Sequence, residues 1–359
     1  MSIHLFKHNQ QAYRAVTAML EKEKMAAVIH PTGTGKSLIA FKLAEENPSK
    51  HFLWLSPSEY IYQTQLEKLN MKFPNIQFMS YSRLMKNEDS IETLHPDYII
   101  LDEFHRCGAQ EWGKSVRKLL DTYPNAKRLG LSATNIRYLD NQRNMAEEIF
   151  DGKIASEMTL GEAIVREILP EPKYVIAMYS YQKELEQLKK RIRTLSNQGL
   201  ITENQKLLEQ LRRALEHADG LELVFKKHMT KKNGKYIVFC SDKEHMDEMK
   251  EQVSTWFRQV DPSPHVYTAF YSDAATGREF TAFKKDDSKH LKLLFCIDML
   301  NEGIHVDDVD GVILLRPTVS PIIYLQQIGR ALSAGSEKTP LIFDPVSYTH
   351  LRAHETELH

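Results

Sequence analysis

The chain has 359 residues, 42% hydrophobic and 26% charged, with 47 basic against 48 acidic side chains and a net charge of -1. That length implies two domains, and the composition excludes a disordered or collagen-like chain. The near-zero charge excludes long-range steering, so any basic surface that grips an anionic partner has to be local.

No apolar run approaches the roughly 18 residues of a membrane span; the richest, Leu293–Leu300, already contains Asp298. The first residues, MSIHLFKHNQ, lack the apolar core of a secretory signal. Cys107, Cys240 and Cys296 are widely spaced, with no CxxC pair. Neither a disulfide scaffold nor a structural zinc site is expected, and the expected compartment is the reducing cytoplasm.

Along residues 1–155, short apolar runs at 26–30, 51–57, 76–81, 97–103 and 128–134 alternate with helical stretches. Buried parallel strands read this way, and helices between them imply an α/β sheet. After the first run comes His30-Pro31-Thr32-Gly33-Thr34-Gly35-Lys36-Ser37, then the helix-like LIAFKLAEE. This is the phosphate-loop pattern of strand, GxxxxGK[ST] and helix, with His30 where the strict pattern has Gly. Gly33 and Gly35 let backbone N–H groups converge on phosphate oxygens without Cβ clashes, and the following helix adds its positive end. Lys36 supplies a point charge for the β- and γ-phosphates and Ser37 an oxygen for Mg²⁺. Asp102 and Glu103 follow the strand-like run Tyr98–Leu101. Asp102 then stands at the sheet edge where Mg²⁺ is expected, and Glu103 can polarise the attacking water.

Residues 181–217 are charged, with apolar residues at 185, 188, 192 and 195, then at 207, 208, 211 and 215. Those steps suit two amphipathic helices broken near Asn197-Gln198-Gly199. Either they form an αα-hairpin inserted between domains, a place for a protein partner, or they belong to the second core. Apolar runs return at 236–241, 265–270, 292–298, 311–317 and 340–344, so a second α/β sheet is expected.

The phosphate loop, DEFH at 102–105 and Ser132-Ala133-Thr134 together resemble the superfamily 2 helicases, and DEFHRCGA resembles the DExH proteins related to restriction-enzyme motor subunits. LSPS (55–58), SYSRL (80–84), IVFCS (237–241), DMLNEGI (298–304) and QQIGR (326–330) fit further motifs in order. The resemblance implies two RecA-like α/β domains, at 1–155 and 219–345, with a linker and helical insertion at 156–218. It implies an ATP-dependent helicase or translocase acting on nucleic acid, DNA before RNA, with ATP and Mg²⁺ as cofactors and no membrane. A motor that does not separate strands, a small-molecule phosphotransferase and an ATP-gated adaptor are the alternatives.

Carried over residue by residue, the resemblance puts Lys36, Asp102, Glu103, Gln326 and Arg330 in catalysis, Arg330 as an arginine finger. Thr32, Gly33, Thr34, Gly35, Lys36, Ser37, Asp298 and Gly303 would bind the nucleotide. Asn9, with Gln10 beside it, falls where the family has an adenine-reading Gln. Ser37 and Asp102 would hold the metal. Pro57, Ser58, Ser82, Ser241 and Asn301 would face the nucleic-acid backbone. Motif VI has Ser333 where a second Arg is common.

The end of the chain reads differently. Val346–Thr356, VSYTHLRAHET, resembles one reading frame of a transposon-derived sequencing adapter. Residues 346–359 are therefore expected to be a non-native tail on a gene product that continued past Pro345.

Overall fold

The computed structural model describes residues 2–57, 66, 69–137, 143–178, 220–270, 276–297, 308–315, 321–336 and 338–346. Ser58, Asp298, Asn301, Gly303 and the segment 181–217 lie outside the described residues. The chain divides into two RecA-like units. The first holds Met1–Glu171 and takes in residues 332–336; the second holds the other described residues from Pro172 on.

The first unit is built on a six-stranded parallel sheet. Its strands are β1 (Met25–Ile29), β2 (Phe52–Ser56), β3 (Ile76–Ser80), β4 (Tyr98–Asp102), β5 (Lys127–Ser132) and β8 (Ile154–Glu157), in the order β3-β2-β4-β5-β1-β8. A two-stranded antiparallel ribbon, β6 (Ile136–Arg137) with β7 (Arg143–Asn144), follows β5. The helices are α1 (Lys7–Glu23), α2 (Ser37–Glu46), α3 (Tyr81–Lys86), α4 (Gln110–Thr122), α5 (Met145–Phe150) and α6 (Leu160–Val165).

The central strands are buried on both faces, which is why they read as unbroken apolar runs. Alternation then sorts their side chains between two cores. Leu53, Leu55, Ile99 and Leu101 pack with Val116 and Leu119 of α4 and Phe150 of α5. Phe52, Trp54, Tyr98 and Ile100 pack with Val16 and Leu20 of α1 and Phe41 of α2. With helices on both faces, the carboxyl ends of β1, β4 and β5 form one open edge, the place where such sheets bind ligands.

The second unit repeats the architecture. β9 (Lys173–Met178), β10 (Lys235–Phe239), β11 (His265–Ala269), β12 (Lys292–Cys296), β13 (Gly311–Leu314) and β14 (Leu341–Val346) make a parallel sheet in the order β11-β12-β10-β13-β14-β9. Its helices are α7 (Leu221–His228), α8 (Lys243–Glu251), α9 (Val253–Trp256), α10 (Thr276–Lys285) and α11 (Pro321–Gly329). Phe225, Tyr236, Val238, Leu293, Phe295 and Phe343 are buried in one of its cores.

Two features differ from the boundaries expected from the sequence. The first unit extends past residue 155 through β8 and α6. β9, expected within a linker, is the edge strand of the second sheet and pairs with β14 from Lys173↔Leu341 to Met178↔Val346. The second sheet is therefore opened before the segment 181–217 and completed after it, and Val346, expected to begin the tail, ends its last strand.

Candidate nucleotide-hydrolysis site

The loop Pro31–Lys36 leaves β1 and enters α2. Gly33 and Gly35 have φ of 87° and 76°, a region that disfavours any residue with a Cβ. His30 is not among the positive-φ residues, so the departure from Gly costs no backbone strain. Its N–H donates to the Ser132 carbonyl (3.0 Å), and its Nε2 meets Ser156 Oγ of β8 at 2.8 Å. Burial, with Lys36 and His8 nearby, pushes the His30 imidazole down to about 3.

α1 grips this loop from behind. Asn9, fully buried, donates its amide to the carbonyls of Thr34 (2.8 Å) and Gly35 (3.2 Å). His8 Nε2 donates to the same Thr34 oxygen at 2.8 Å; burial lowers its pKa, which favours the neutral ring. These bonds hold the Thr34 and Gly35 carbonyls against α1. Gln10 is exposed and donates to the Leu5 carbonyl at 3.0 Å.

Lys36 is buried, and its Nζ lies 3.5 Å from Glu103 Oε1. Asp102 ends β4 and is also buried. Burial, then the charge of Glu103 beside it, push the Asp102 carboxyl up against the pull of Lys36. Two carboxylates facing one ammonium is a site short of positive charge. Asp102 and the Ser37 hydroxyl offer the hard oxygen donors that suit Mg²⁺, and a divalent cation would relieve the deficit.

Glu103 adopts a left-handed conformation, φ 52° and ψ 48°. It begins a helical turn, Phe104–Gly108, in which Arg106 N–H donates to the Glu103 carbonyl at 3.0 Å. His105 Nδ1 lies 2.8 Å from Ser132 Oγ and 3.5 Å from Glu103 Oε2. Ser132 Oγ also accepts from Thr134 N–H at 3.3 Å. The segment after β5 thereby touches the turn after β4 through a side chain and β1 through its backbone.

The sequence reading did not assign His8 or Tyr81, and it gave Asn9 an adenine-reading place and not a hold on the loop. His8 and the actual hold of Asn9 depend on how α1 is rotated, which periodicity fixes only to a face. Tyr81 donates to the Asp102 carbonyl at 2.8 Å, a contact between segments distant in the chain.

The remaining expected residues are dispersed. Pro57 is buried at the end of β2 and Ser82 half-buried in the first turn of α3. In the second unit, Ser241 is exposed, but its Oγ meets His245 Nδ1 (2.8 Å) and Asp242 (3.2 Å), the cap of α8. Gln326 lies on α11. Arg330, just beyond α11, is buried, 3% exposed. None of the helices among the described residues is long and apolar enough to cross a membrane.

The sheet order, the glycine loop and the Lys36–Glu103 pair define a nucleotide-binding unit of the RecA-like class. The family model of the type III restriction enzyme res subunit matches residues 2–77 and 64–137, and that of the helicase conserved C-terminal domain matches 210–335. The chain belongs to the superfamily 2 helicases, in the branch of restriction-enzyme motor subunits. It is 23% identical over 334 residues to a 51.5 kDa protein of Lactococcus phage (isolate 7-9), covering 89% of this chain and 65% of that protein. It thus spans just under two thirds of that relative's length. Among solved structures, it resembles a fragment assigned as an HsdR subunit of a type I restriction enzyme from Vibrio vulnificus YJ016 (TM-score 0.66, 20% identity, 98% of this chain and 66% of that one). It also resembles the ATP-dependent type ISP restriction-modification enzyme LlaBIII bound to DNA (TM-score 0.61, 19% identity, 96% and 28%). The DEAH/RHA helicase HrpB of Escherichia coli is similar too (TM-score 0.62, 12% identity, 97% and 43%). At these identities the likeness is one of fold.

Proposed function

We propose that the chain is an ATP-dependent motor on nucleic acid, a helicase or translocase, with DNA as the preferred strand. The observation that carries this reading is the buried approach of Lys36 to Glu103 at 3.5 Å beside a loop whose two glycines hold positive φ. Lys36 and the loop N–H groups bind the β- and γ-phosphates. Asp102 and Ser37 would hold Mg²⁺, which would supply positive charge against the phosphate oxygens. Glu103 orients a water and accepts its proton as the new O–P bond forms and the bond to the β-phosphate oxygen breaks. ATP binding draws Lys36 to the phosphates and frees Glu103 for that role. In the second unit, Arg330 supplies the cation that offsets the charge of the transition state. Gln326 is assigned to catalysis, Asp298 and Gly303 to the nucleotide, and Asn301, Pro57, Ser58, Ser82 and Ser241 to the strand. The preference for DNA is supported by the type ISP relative, which was solved bound to DNA.

The test is ATP hydrolysis by the full chain with and without single-stranded DNA. Lys36→Ala should remove detectable hydrolysis. Glu103→Gln should keep ATP binding and slow turnover, because the amide preserves shape but accepts no proton. Unchanged hydrolysis in Lys36→Ala would sink the assignment. Hydrolysis indifferent to DNA would favour a phosphotransferase.

A further inference from the structure

Glu103 has to present its carboxylate to a water, yet its backbone is left-handed, a costly conformation for a residue with a Cβ. Something must hold it there. The carbonyls on either side of its Cα are both held. The Glu103 carbonyl accepts from Arg106 N–H at 3.0 Å inside its own turn. The Asp102 carbonyl accepts from the Tyr81 hydroxyl at 2.8 Å, and Tyr81 comes from a different element, the first residue of α3.

Tyr81 is well placed to be rigid. It is 1% exposed, and its ring stacks on Trp112 of α4 at 5.7 Å and 19°. α3 is fixed by a cap in which Ser80 Oγ accepts from Arg83 N–H at 3.2 Å. A buried hydroxyl aimed at a backbone carbonyl fixes the plane of that peptide. Here the peptide is the one that joins Asp102 to Glu103.

We propose that Tyr81 is a positioning residue for hydrolysis: its hydroxyl locks the Asp102–Glu103 peptide and so holds the Glu103 carboxylate in place. The proposal rests on the reading of Glu103 as the residue that orients the water. Without the hydroxyl, the peptide can relax from the left-handed conformation and carry Glu103 with it. Tyr81 touches no substrate; it acts through Glu103, so its effect should vanish where Glu103 no longer works as a base.

A double-mutant cycle tests this. Single-turnover ATP hydrolysis would be measured for the wild-type chain, Tyr81→Phe, Glu103→Gln and the double variant, each normalised to folded protein by circular dichroism. Phe keeps the ring on Trp112 and removes one oxygen. We expect Tyr81→Phe to slow the chemical step about tenfold, equal to about 1.4 kcal/mol, with ATP affinity changed by less than about twofold, an interaction lost in the transition state alone. In the Glu103→Gln background, removing the hydroxyl should change the residual rate by less than about twofold, because the two residues act as one unit. Two losses that multiply in the double variant, or a Tyr81→Phe rate within about twofold of wild type, would overturn the proposal while leaving the hydrolysis reading intact. A wild-type chain without ATPase activity would overturn both.

Discussion

Two kinds of histidine hold this molecule, one pair buried beside the phosphate loop and one pair stacked against aspartates in the second unit. His8 and His30 are buried beside the phosphate loop, where burial disfavours their charged forms. In the second unit, His265 and His290 stack at 4.8 Å and 30° over two aspartates. His265 Nδ1 meets Asp286 at 2.7 Å, and Tyr267 donates to the same carboxylate at 2.7 Å. His290 Nδ1 lies 3.1 Å from Asp261. Burial pushes Asp286 up, but the hydrogen bonds from His265, Ser288 and Tyr267 outweigh it and hold the carboxyl well below its ordinary value. A carboxylate depressed in the folded state gives stability that is present above its unfolded pKa, about 3.9, and is lost as pH falls through the folded value. Asp286→Asn should therefore lower the melting temperature at pH 7 and flatten its fall between about pH 5 and pH 2. Thermal melts of both chains across that range check this. Parallel acid limbs would show that the cluster holds β11 and β12 by packing instead.

At the scale of elements, one glycine shapes the turn that begins at Glu103. Gly130 sits in β5, and a Cβ there would lie 2.4 Å from Phe150 Cζ and 2.9 Å from Phe104 Cδ1. Those rings meet edge to face at 5.1 Å, and Phe104 directly follows Glu103. The missing side chain is thus the space that seats the turn after β4. Gly130→Ala should destabilise the first unit by about 1–3 kcal/mol through overpacking and reduce hydrolysis per folded molecule. Phe150→Leu should restore part of both losses, since the sites share one cavity. An unchanged melting temperature in Gly130→Ala would refute the packing argument. How far the sequence discloses such things varies with the element. Ten strands were legible from their apolar runs, unbroken where the strand is buried on both faces, as in β2, β4, β12 and β13, and interrupted in the partly buried edge strands β3 and β11. β8 was not: its residues are half-buried or exposed at the sheet edge. β9 hid for another reason, since its partner β14 lies far along the chain and nothing local shows which sheet it joins. The loop glycines, Lys36 and the Asp102–Glu103 pair were legible because spacing alone defines them. The Tyr81 and His8 contacts depend on side-chain direction across separate elements, which one-dimensional spacing does not encode.

For the whole molecule, the question is why a chain with a phosphate-loop pattern in its first unit carries a second sheet of the same class. A phosphate loop with a base can hydrolyse slowly by itself; a motor requires that hydrolysis depend on a second body. Arg330 is the residue through which we assign that dependence. It is buried at 3% exposure, and a charged side chain is rarely buried without a specific role. It is also the sole Arg in QQIGRALS, with Ser333 at the position where a second is common. An arginine finger contributes about 10³–10⁵-fold to phosphoryl transfer. With no second Arg to share that work, Arg330→Ala should bring the single-turnover rate close to background while ATP affinity changes little. Arg330→Lys should rescue poorly, because an ammonium lacks the planar fork that spans two oxygens. Ser333→Arg should be neutral or activating, since it adds positive charge in the same segment. If Arg330 serves only to hold the end of α11, whose last turn it joins through Arg330 N–H to the Gln327 carbonyl at 3.2 Å, the outcome reverses. Arg330→Ala would then lower the melting temperature and leave turnover per folded chain nearly intact. Rates normalised to folded protein by circular dichroism separate the two, and a loss smaller than about tenfold, roughly 1.4 kcal/mol, would remove Arg330 from the hydrolytic machinery.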